Sequence, residues 1–348
     1  MKKILITGGL GFIGVNTALY LSERGYKCHI IDNYYRVESK NNLHLIENNK
    51  NISFEEIDIT NEASITNIIK NNSFFAILNF AGQVAMSKSL ENPIQDFLIN
   101  AFGSLCILNA INLYSKDTFY LYTSTNKVYG DLRWDELNEL ETRFESTDFT
   151  TGYNTDTPLD ITTPYGCSKG TGDLYAYDFF KIFELRTTVF RLSTVCGTNQ
   201  TSTYDQGWVG WYINEAIKKK NNECINILGT GKQVRDILFI DDFVKLIGLQ
   251  IKKFNTISNK TFCVGGSFKS YTSLRNLTNI CEKITNNKIK FTKQKKTSIY
   301  DIPYFITDNN LIKKTYNWYP KKNILSIVKD TYKWLMINKD ELLKIQKK

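Results

Sequence analysis

Lys2-Lys3-Ile4-Leu5-Ile6-Thr7-Gly8-Gly9-Leu10-Gly11-Phe12-Ile13-Gly14 reads as a short apolar strand running straight into a glycine turn, with an amphipathic stretch from Val15 to Gly25 behind it. Strand, turn and helix in that order suit a dinucleotide pyrophosphate. Glycines let the backbone approach the phosphates, and the helix N-terminus faces the anion. A lone glycine turn between strand and helix also serves packing. Here the second apolar strand, Cys28-His29-Ile30-Ile31, ends in Asp32-Asn33, and a carboxylate at that point can accept both ribose hydroxyls of NAD.

Apolar strands are expected near residues 2–7, 27–32, 52–57, 74–81, 117–124 and 186–192, alternating with helical patterns. That alternation predicts an α/β fold with a doubly wound parallel sheet. The third strand ends in Asp58-Ile59, placed to meet an adenine; Asp58 reads equally as a helix cap with Thr60. The fourth runs into Asn79-Phe80-Ala81-Gly82-Gln83, small residues that let backbone pass close to a dinucleotide. The stretch from Ile94 to Tyr114 predicts a long, largely apolar helix. Its outer face suits a subunit interface, though a helix buried within one chain reads the same.

The fifth strand delivers Thr123-Ser124-Thr125-Asn126-Lys127-Val128-Tyr129-Gly130 at its carboxyl end, where open parallel sheets place their ligands. Hydroxyls there bond a substrate or simply form a turn. Tyr165-Gly166-Cys167-Ser168-Lys169 follows Pro164, and residues four apart share a helix face. The Lys169 ammonium is therefore expected to favour the Tyr165 phenolate and bring that phenol down towards neutrality, fit for acid/base work.

At 348 residues, with 42% hydrophobic and 23% charged side chains, the chain can bury a large core, and its composition argues against disorder. The net charge of +9 is scattered along the chain and partly piled into Lys344 to Lys348; it reads as solvated faces, with no nucleic-acid partner expected. Seven cysteines, without a C-x-x-C pair, read as reduced thiols of a cytoplasmic protein. Two histidines, His29 and His44, are too few for a histidine-based metal site, and no metal is expected. Neither a signal peptide nor a span approaching ~20 apolar residues is expected, so no membrane association is either.

The G-x-x-G-x-x-G spacing, the hydroxyl-bearing Val-Tyr-Gly motif and Tyr165-x-x-x-Lys169 resemble an extended short-chain dehydrogenase/reductase of the nucleotide-sugar epimerase and dehydratase family. The resemblance runs from Lys3 to about Trp334 and implies a Rossmann-type sheet with a smaller C-terminal sugar-nucleotide lobe. The strings Ser124-Thr125-Asn126-Lys127, Tyr204-Asp205-Gln206-Gly207-Trp208 and Gly231-Lys232-Gln233-Val234-Arg235-Asp236 resemble the branch acting on CDP-linked sugars.

By motif position the resemblance implies three catalytic residues. Thr125 supplies a hydroxyl, Tyr165 is the acid/base, and Lys169 tunes it while contacting the nicotinamide ribose. Gly8, Gly11, Phe12, Ile13 and Gly14 would hold the NAD phosphates, and Asp32, Asn33, Asp58 and Ile59 the adenosine. Ala81, Gly82, Gln83, Asn100, Thr123 and Ser193 would complete the cofactor site. The nucleotide-diphosphate sugar would meet Gln83, Thr125, Asn126, Thr194, Gln206, Gly207, Trp208, Gln233 and Arg235. A salt bridge from Arg235 to Asp236 or Asp242 is the alternative to a diphosphate contact. Trp211 reads equally as nucleotide contact or core.

The sequence departs from the family pattern in three places. Related dehydratases carry an acidic pair directly after the catalytic threonine; this chain has Asn126-Lys127, and no carboxylate is supplied for elimination of water. Thr194 stands where an asparagine often contacts the substrate. The arginine expected just before Tyr304 is missing, and Lys295 or Lys296 is the candidate substitute.

The implied reaction is inversion at C2 of a CDP-linked 3,6-dideoxyhexose through a 2-keto sugar. Another carbon, another nucleotide sugar, or an oxidoreductase releasing its product are the alternatives. A dinucleotide domain over 1–192 is expected, with a substrate lobe over 193–348, residues 233–249 possible as a return to the first, and a homo-oligomer as the assembly. The polar segment from Asp131 to Thr163 either folds over the site or is a solvated loop.

Overall fold

The computed structural model describes residues 1–219, 223–227, 229–293 and 300–339. They form two compact units. The first comprises Met1–Val128, Thr163–Arg191 and Phe243–Phe262, and the second comprises Tyr129–Thr162, Leu192–Asp242 and Cys263–Lys348.

The first unit is built on a seven-stranded sheet. Its order is Lys260–Val264, Thr187–Leu192, Phe119–Thr125, Ala76–Asn79, Lys3–Thr7, Lys27–Asp32 and Ile52–Glu56. Every pair from Phe119–Thr125 across to Ile52–Glu56 is parallel. Parallel strands covered on both faces need continuous apolar runs, and Ile4, Leu5, Ile6, Ile77, Leu78 and Leu121 are fully buried. The chain starts in the middle, moves out one way to Ile52–Glu56, then crosses back to Ala76–Asn79. The carboxyl ends of Lys3–Thr7 and Ala76–Asn79 therefore lie side by side where the winding reverses, which is where such sheets bind ligands. Thr7 ties them together: its hydroxyl donates to Asn79 Oδ1 at 2.6 Å and accepts the Ala81 N–H at 3.2 Å.

Pro93–Tyr114 is one continuous 22-residue helix, long and apolar enough by length and composition to cross a membrane. This corrects the expectation that no span approaches that length. It is a core helix: Asp96, Asn100 and Ser104 are buried along one face and bonded to other parts of the unit. A wide π turn over Leu98–Phe102 interrupts its α-helical winding. The helix Pro164–Phe183 is capped by Thr163, whose hydroxyl accepts the Gly166 N–H at 3.1 Å, carries Pro164 in its first turn and stops at the left-handed Glu184.

In the second unit Val234–Phe239 runs parallel to Thr194–Cys196 and to Tyr304–Phe305 and antiparallel to Tyr271–Ser273. The segment 131–163 is anchored and is not a solvated loop. Tyr153 is fully buried, stacks between Phe149 and Phe305 with ring centroids at 4.6 and 5.1 Å, and donates its phenol to Asp135. Its backbone pairs with Ile306 and Asp308.

Candidate active site

Gly8 begins the dinucleotide cradle. Its φ of +61° suits glycine, and a Cβ there would stand 2.7 Å from the Ala81 nitrogen, so the turn closes onto the neighbouring strand end only without a side chain. Gly11 precedes the helix Phe12–Ser22, whose start has no side-chain cap and no acidic residue in its first turn. The N–H groups at that end are thereby suited to an anion. Asp32, at the end of Lys27–Asp32, accepts the Leu10 N–H at 3.2 Å and the Tyr34 N–H at 2.9 Å. Burial raises its pKa, and these N–H groups work the other way. Asn42 donates to the Leu10 carbonyl at 2.8 Å and fastens the turn from outside, a contact that sequence reading missed.

Asp58 is held by the Thr60 N–H at 2.8 Å and by Asn33 Nδ2 at 2.9 Å. The helix after it is capped by Asn61, so Asp58 is not the N-cap. Asn33 and Asp58 meet across the ends of adjacent strands, beside Ile59.

Thr125, Tyr165 and Lys169 are brought together at the end of Phe119–Thr125 and the start of Pro164–Phe183. The Thr125 hydroxyl accepts the Lys127 N–H at 3.2 Å, reaches Asn126 Oδ1 at 3.4 Å and hydrogen-bonds the Tyr165 phenol. Lys169 is buried with its Nζ 4.3 Å from the centroid of the Tyr122 ring.

The expected tuning of Tyr165 by Lys169 is not what this geometry yields. Burial pushes the phenol up to about 12, the Thr125 hydrogen bond opposes this, and the Asp96 charge adds to it. Burial likewise pulls Lys169 down to about 7, against the charges of Asp96 and Asp173. The reason is desolvation: both groups resist charge when removed from water, and helix spacing does not reveal that.

Gly82 lies alongside this cluster. A Cβ on it would sit 2.9 Å from Asn100 Oδ1 and 3.7 Å from Lys169 Nζ. Asn100 Oδ1 is buried and has no hydrogen-bond partner among the described residues. Asn100 Nδ2 donates to the Gln83 carbonyl at 2.9 Å, and Thr123 bonds the Asn79 carbonyl at 3.2 Å. Gln83 donates to Asp96 at 2.7 Å, so its side chain is committed within the protein.

In the second unit Ser193 donates to Asp236, and Thr194 opens the strand Thr194–Cys196. Gln206 precedes Gly207, which adopts the left-handed conformation and starts the helix Trp208–Lys218; Trp211 is edge-on to Tyr204 at 5.1 Å. Gln233 and Arg235 converge on Asp301, at 3.3 and 2.7 Å. The carboxylate beside Arg235 is thus neither Asp236 nor Asp242. Asp236 holds Ser193 and the Ser267 N–H, and Asp242 accepts the Lys321 and Lys322 N–H groups. Lys295 and Lys296 lie outside the described residues. Among the described residues no group of three or more His, Cys, Asp or Glu is placed to hold a metal ion.

Residues 5–331 match the protein family described as GDP-mannose 4,6 dehydratase. The chain belongs to this family. It is 39% identical to the CDP-paratose 2-epimerase of Salmonella typhi, over 95% of this chain and 98% of that protein. Two solved structures share the fold. The dTDP-glucose 4,6-dehydratase of Bacillus anthracis in complex with NAD has a TM-score of 0.79 at 23% identity, covering 98% of both chains. The UDP-glucuronic acid 4-epimerase of Bacillus cereus, in complex with UDP-glucuronic acid and NAD, has a TM-score of 0.81 at 19% identity, covering 96% of this chain and 99% of that one.

The cofactor of the family is NAD. The residues present fit it: a glycine turn with no room for side chains, an uncapped helix start, a carboxylate, Asp32, at the end of the adjacent strand, and Asn100 Oδ1 beside Gly82, without a partner among the described residues.

Proposed function

We propose that this protein interconverts CDP-paratose and CDP-tyvelose by inverting C2 of the sugar, with NAD bound throughout. The observation that carries this reading is the likeness, along nearly the full length of both chains, to the Salmonella typhi epimerase. The cluster of Thr125, Tyr165 and Lys169 supplies the chemistry it needs.

Gly8, Gly11, Phe12, Ile13, Gly14 and Asp32 would hold the NAD. Bound there, it would supply a hydride acceptor and donor and a positively charged ring. Tyr165 takes the proton from the C2 hydroxyl as the 2-keto sugar forms, then gives it back to the oxygen after the ring has turned its other face. Because burial pushes the phenol up to about 12, it needs positive charge beside it to work at neutral pH; bound NAD would supply one, and Lys169, four residues on along the helix, would add another when protonated. Thr125 holds the phenol in place. Asn126 and Lys127 offer no carboxylate, which disfavours dehydration.

The first unit is assigned to the cofactor. In the second, the Arg235 fork and the Gly207 helix start suit a diphosphate, leaving the reacting ring free to rotate. All seven cysteines are free thiols, which supports a reducing, cytoplasmic setting. We assign a homo-oligomer in which a second copy covers Ile94, Phe97 and Leu113 of Pro93–Tyr114 together with Leu174, Tyr177 and Ile182 of Pro164–Phe183. These are exposed large apolar side chains on two helices that pack together in one unit. Incubation with CDP-paratose, followed by NMR of the sugar, tests the function. Conversion to CDP-tyvelose without stoichiometric consumption of NAD(H) supports it, whereas stoichiometric consumption makes the protein an oxidoreductase.

A further inference from the structure

We infer that Asp96 is a positioning residue of this site: its carboxylate is the counter-charge that keeps buried Lys169 cationic, and through Ser168 it fixes the helix turn carrying Tyr165 and Lys169. The inference deepens the epimerase reading and rests on Lys169 acting there as a cation.

Asp96 is 1% exposed. Its Oδ1 accepts Gln83 Nε2 at 2.7 Å and Asn100 Nδ2 at 3.2 Å, and its Oδ2 accepts the Ser168 hydroxyl at 2.5 Å. Each of these donors is neutral. A buried carboxylate with only neutral partners still carries an unbalanced charge. Ser168 stands between Tyr165 and Lys169 in sequence, so the bond to Asp96 ties the turn they share to the helix Pro93–Tyr114.

Two carboxylates, Asp96 and Asp173, act on Lys169 through their charge, and two tyrosines, Tyr122 and Tyr165, lie on elements that meet there. Asp96 comes from Pro93–Tyr114. Tyr122 comes from Phe119–Thr125 and lies under the ammonium, with its phenol kept neutral by burial. Tyr165 and Asp173 share the helix of Lys169. Asp173 is already matched: Arg191, from Thr187–Leu192, donates to it at 2.7 and 3.4 Å, and both side chains are nearly buried. Asp96 is then the carboxylate whose charge is left for Lys169. The same charge opposes the Tyr165 phenolate.

The helix is shaped to hold this arrangement. Asp96, Asn100 and Ser104 are four apart, and an α-helix would rotate the third away from the first by most of a right angle. The π turn over Leu98–Phe102 takes up that drift and keeps all three buried on one face.

Asp96→Asn removes the charge with little change of shape. Its amide oxygen still accepts from Gln83 and Asn100, and the Ser168 hydroxyl can rotate to accept from the new NH2. The experiment follows the 13Cε resonance of Lys169 against pH in lysine-labelled protein, with Lys169→Arg assigning the signal. Asp96→Asn is expected to lower the Lys169 midpoint by about one pH unit or more, and Ser168→Ala, which keeps the carboxylate, by clearly less. An unchanged midpoint in Asp96→Asn overturns the inference. Should that variant fail to fold, the wild-type protein decides: protonation of Asp96 on acidification must produce a second step in the Lys169 resonance, and its absence overturns the inference equally. Turnover of CDP-paratose is a separate assay, so a failed epimerase reading does not disturb this readout.

Discussion

Arg235 donates one guanidinium nitrogen to the Asp301 carboxylate at 2.7 Å and another to the Val234 carbonyl at the same distance, while Gln233 approaches the same carboxylate at 3.3 Å. The fork is therefore preset by a neighbour 66 residues along the chain, and its side chain is 12% exposed. A diphosphate taken by Arg235 shares it with Asp301. Arg235→Ala is expected to raise KM for the sugar nucleotide by about 10- to 100-fold with a much smaller change in kcat, the pattern of lost ground-state binding. Steady-state kinetics check this, and an unchanged KM removes Arg235 from the substrate site.

Tyr165→Phe keeps the ring in its buried position and deletes only the acid/base group. A fall in kcat of at least about a hundredfold is expected. Thermal unfolding measured alongside should change little. A variant that keeps more than about a hundredth of the rate contradicts the assignment of proton transfer to Tyr165.

Lys169 carries a stability signature with a definite sign. Its folded pKa is lowered to about 7, below the roughly 10.4 of an exposed lysine, so between those values the unfolded chain binds more protons. The destabilisation from burying the ammonium is fully present below pH 7 and fades as pH rises towards 10. Lys169→Met is expected to be more stable than wild type at pH 6, with the difference shrinking steadily up to pH 10. Urea unfolding of both proteins across that range measures it, and a pH-independent difference contradicts the burial argument.

Phe97 and Leu174 are 50% and 54% exposed on the two helices assigned to a subunit interface. Phe97→Glu with Leu174→Glu places charge on that face and is expected to convert the oligomer to monomer in light scattering, leaving NAD binding in place. A wild-type monomer, or a double variant with unchanged mass, rules the face out.

Much of the first unit was legible because the strand, glycine turn and helix pattern is local. Lys3–Thr7, Lys27–Asp32 and Thr187–Leu192 fall where apolar runs and their flanking residues place them. The strand Lys260–Val264 was not foreseen: it is short, begins with Lys260 and Thr261, and joins the sheet next to Thr187–Leu192 from far along the chain. Tyr165 and Lys169 were visible from helical spacing, but the direction of their pKa shifts depends on burial that spacing does not encode. Asp96 was not singled out in the largely apolar stretch from Ile94 to Tyr114, and only the packing against Ser168 and Gln83 gives it a role. The partner of Arg235 was misplaced for a similar reason. Asp236 and Asp242 are near in sequence, whereas the strand pairing of Val234–Phe239 with Tyr304–Phe305 brings Asp301 alongside.

Carrying out the conversion of CDP-paratose in deuterated water and reading C2 of the product by NMR bears most directly on the central claim. Transfer of hydride out and back with Tyr165 moving only the hydroxyl proton predicts inverted product with protium retained at C2. Deuterium at C2 would mean proton exchange with solvent at carbon, and would contradict the account.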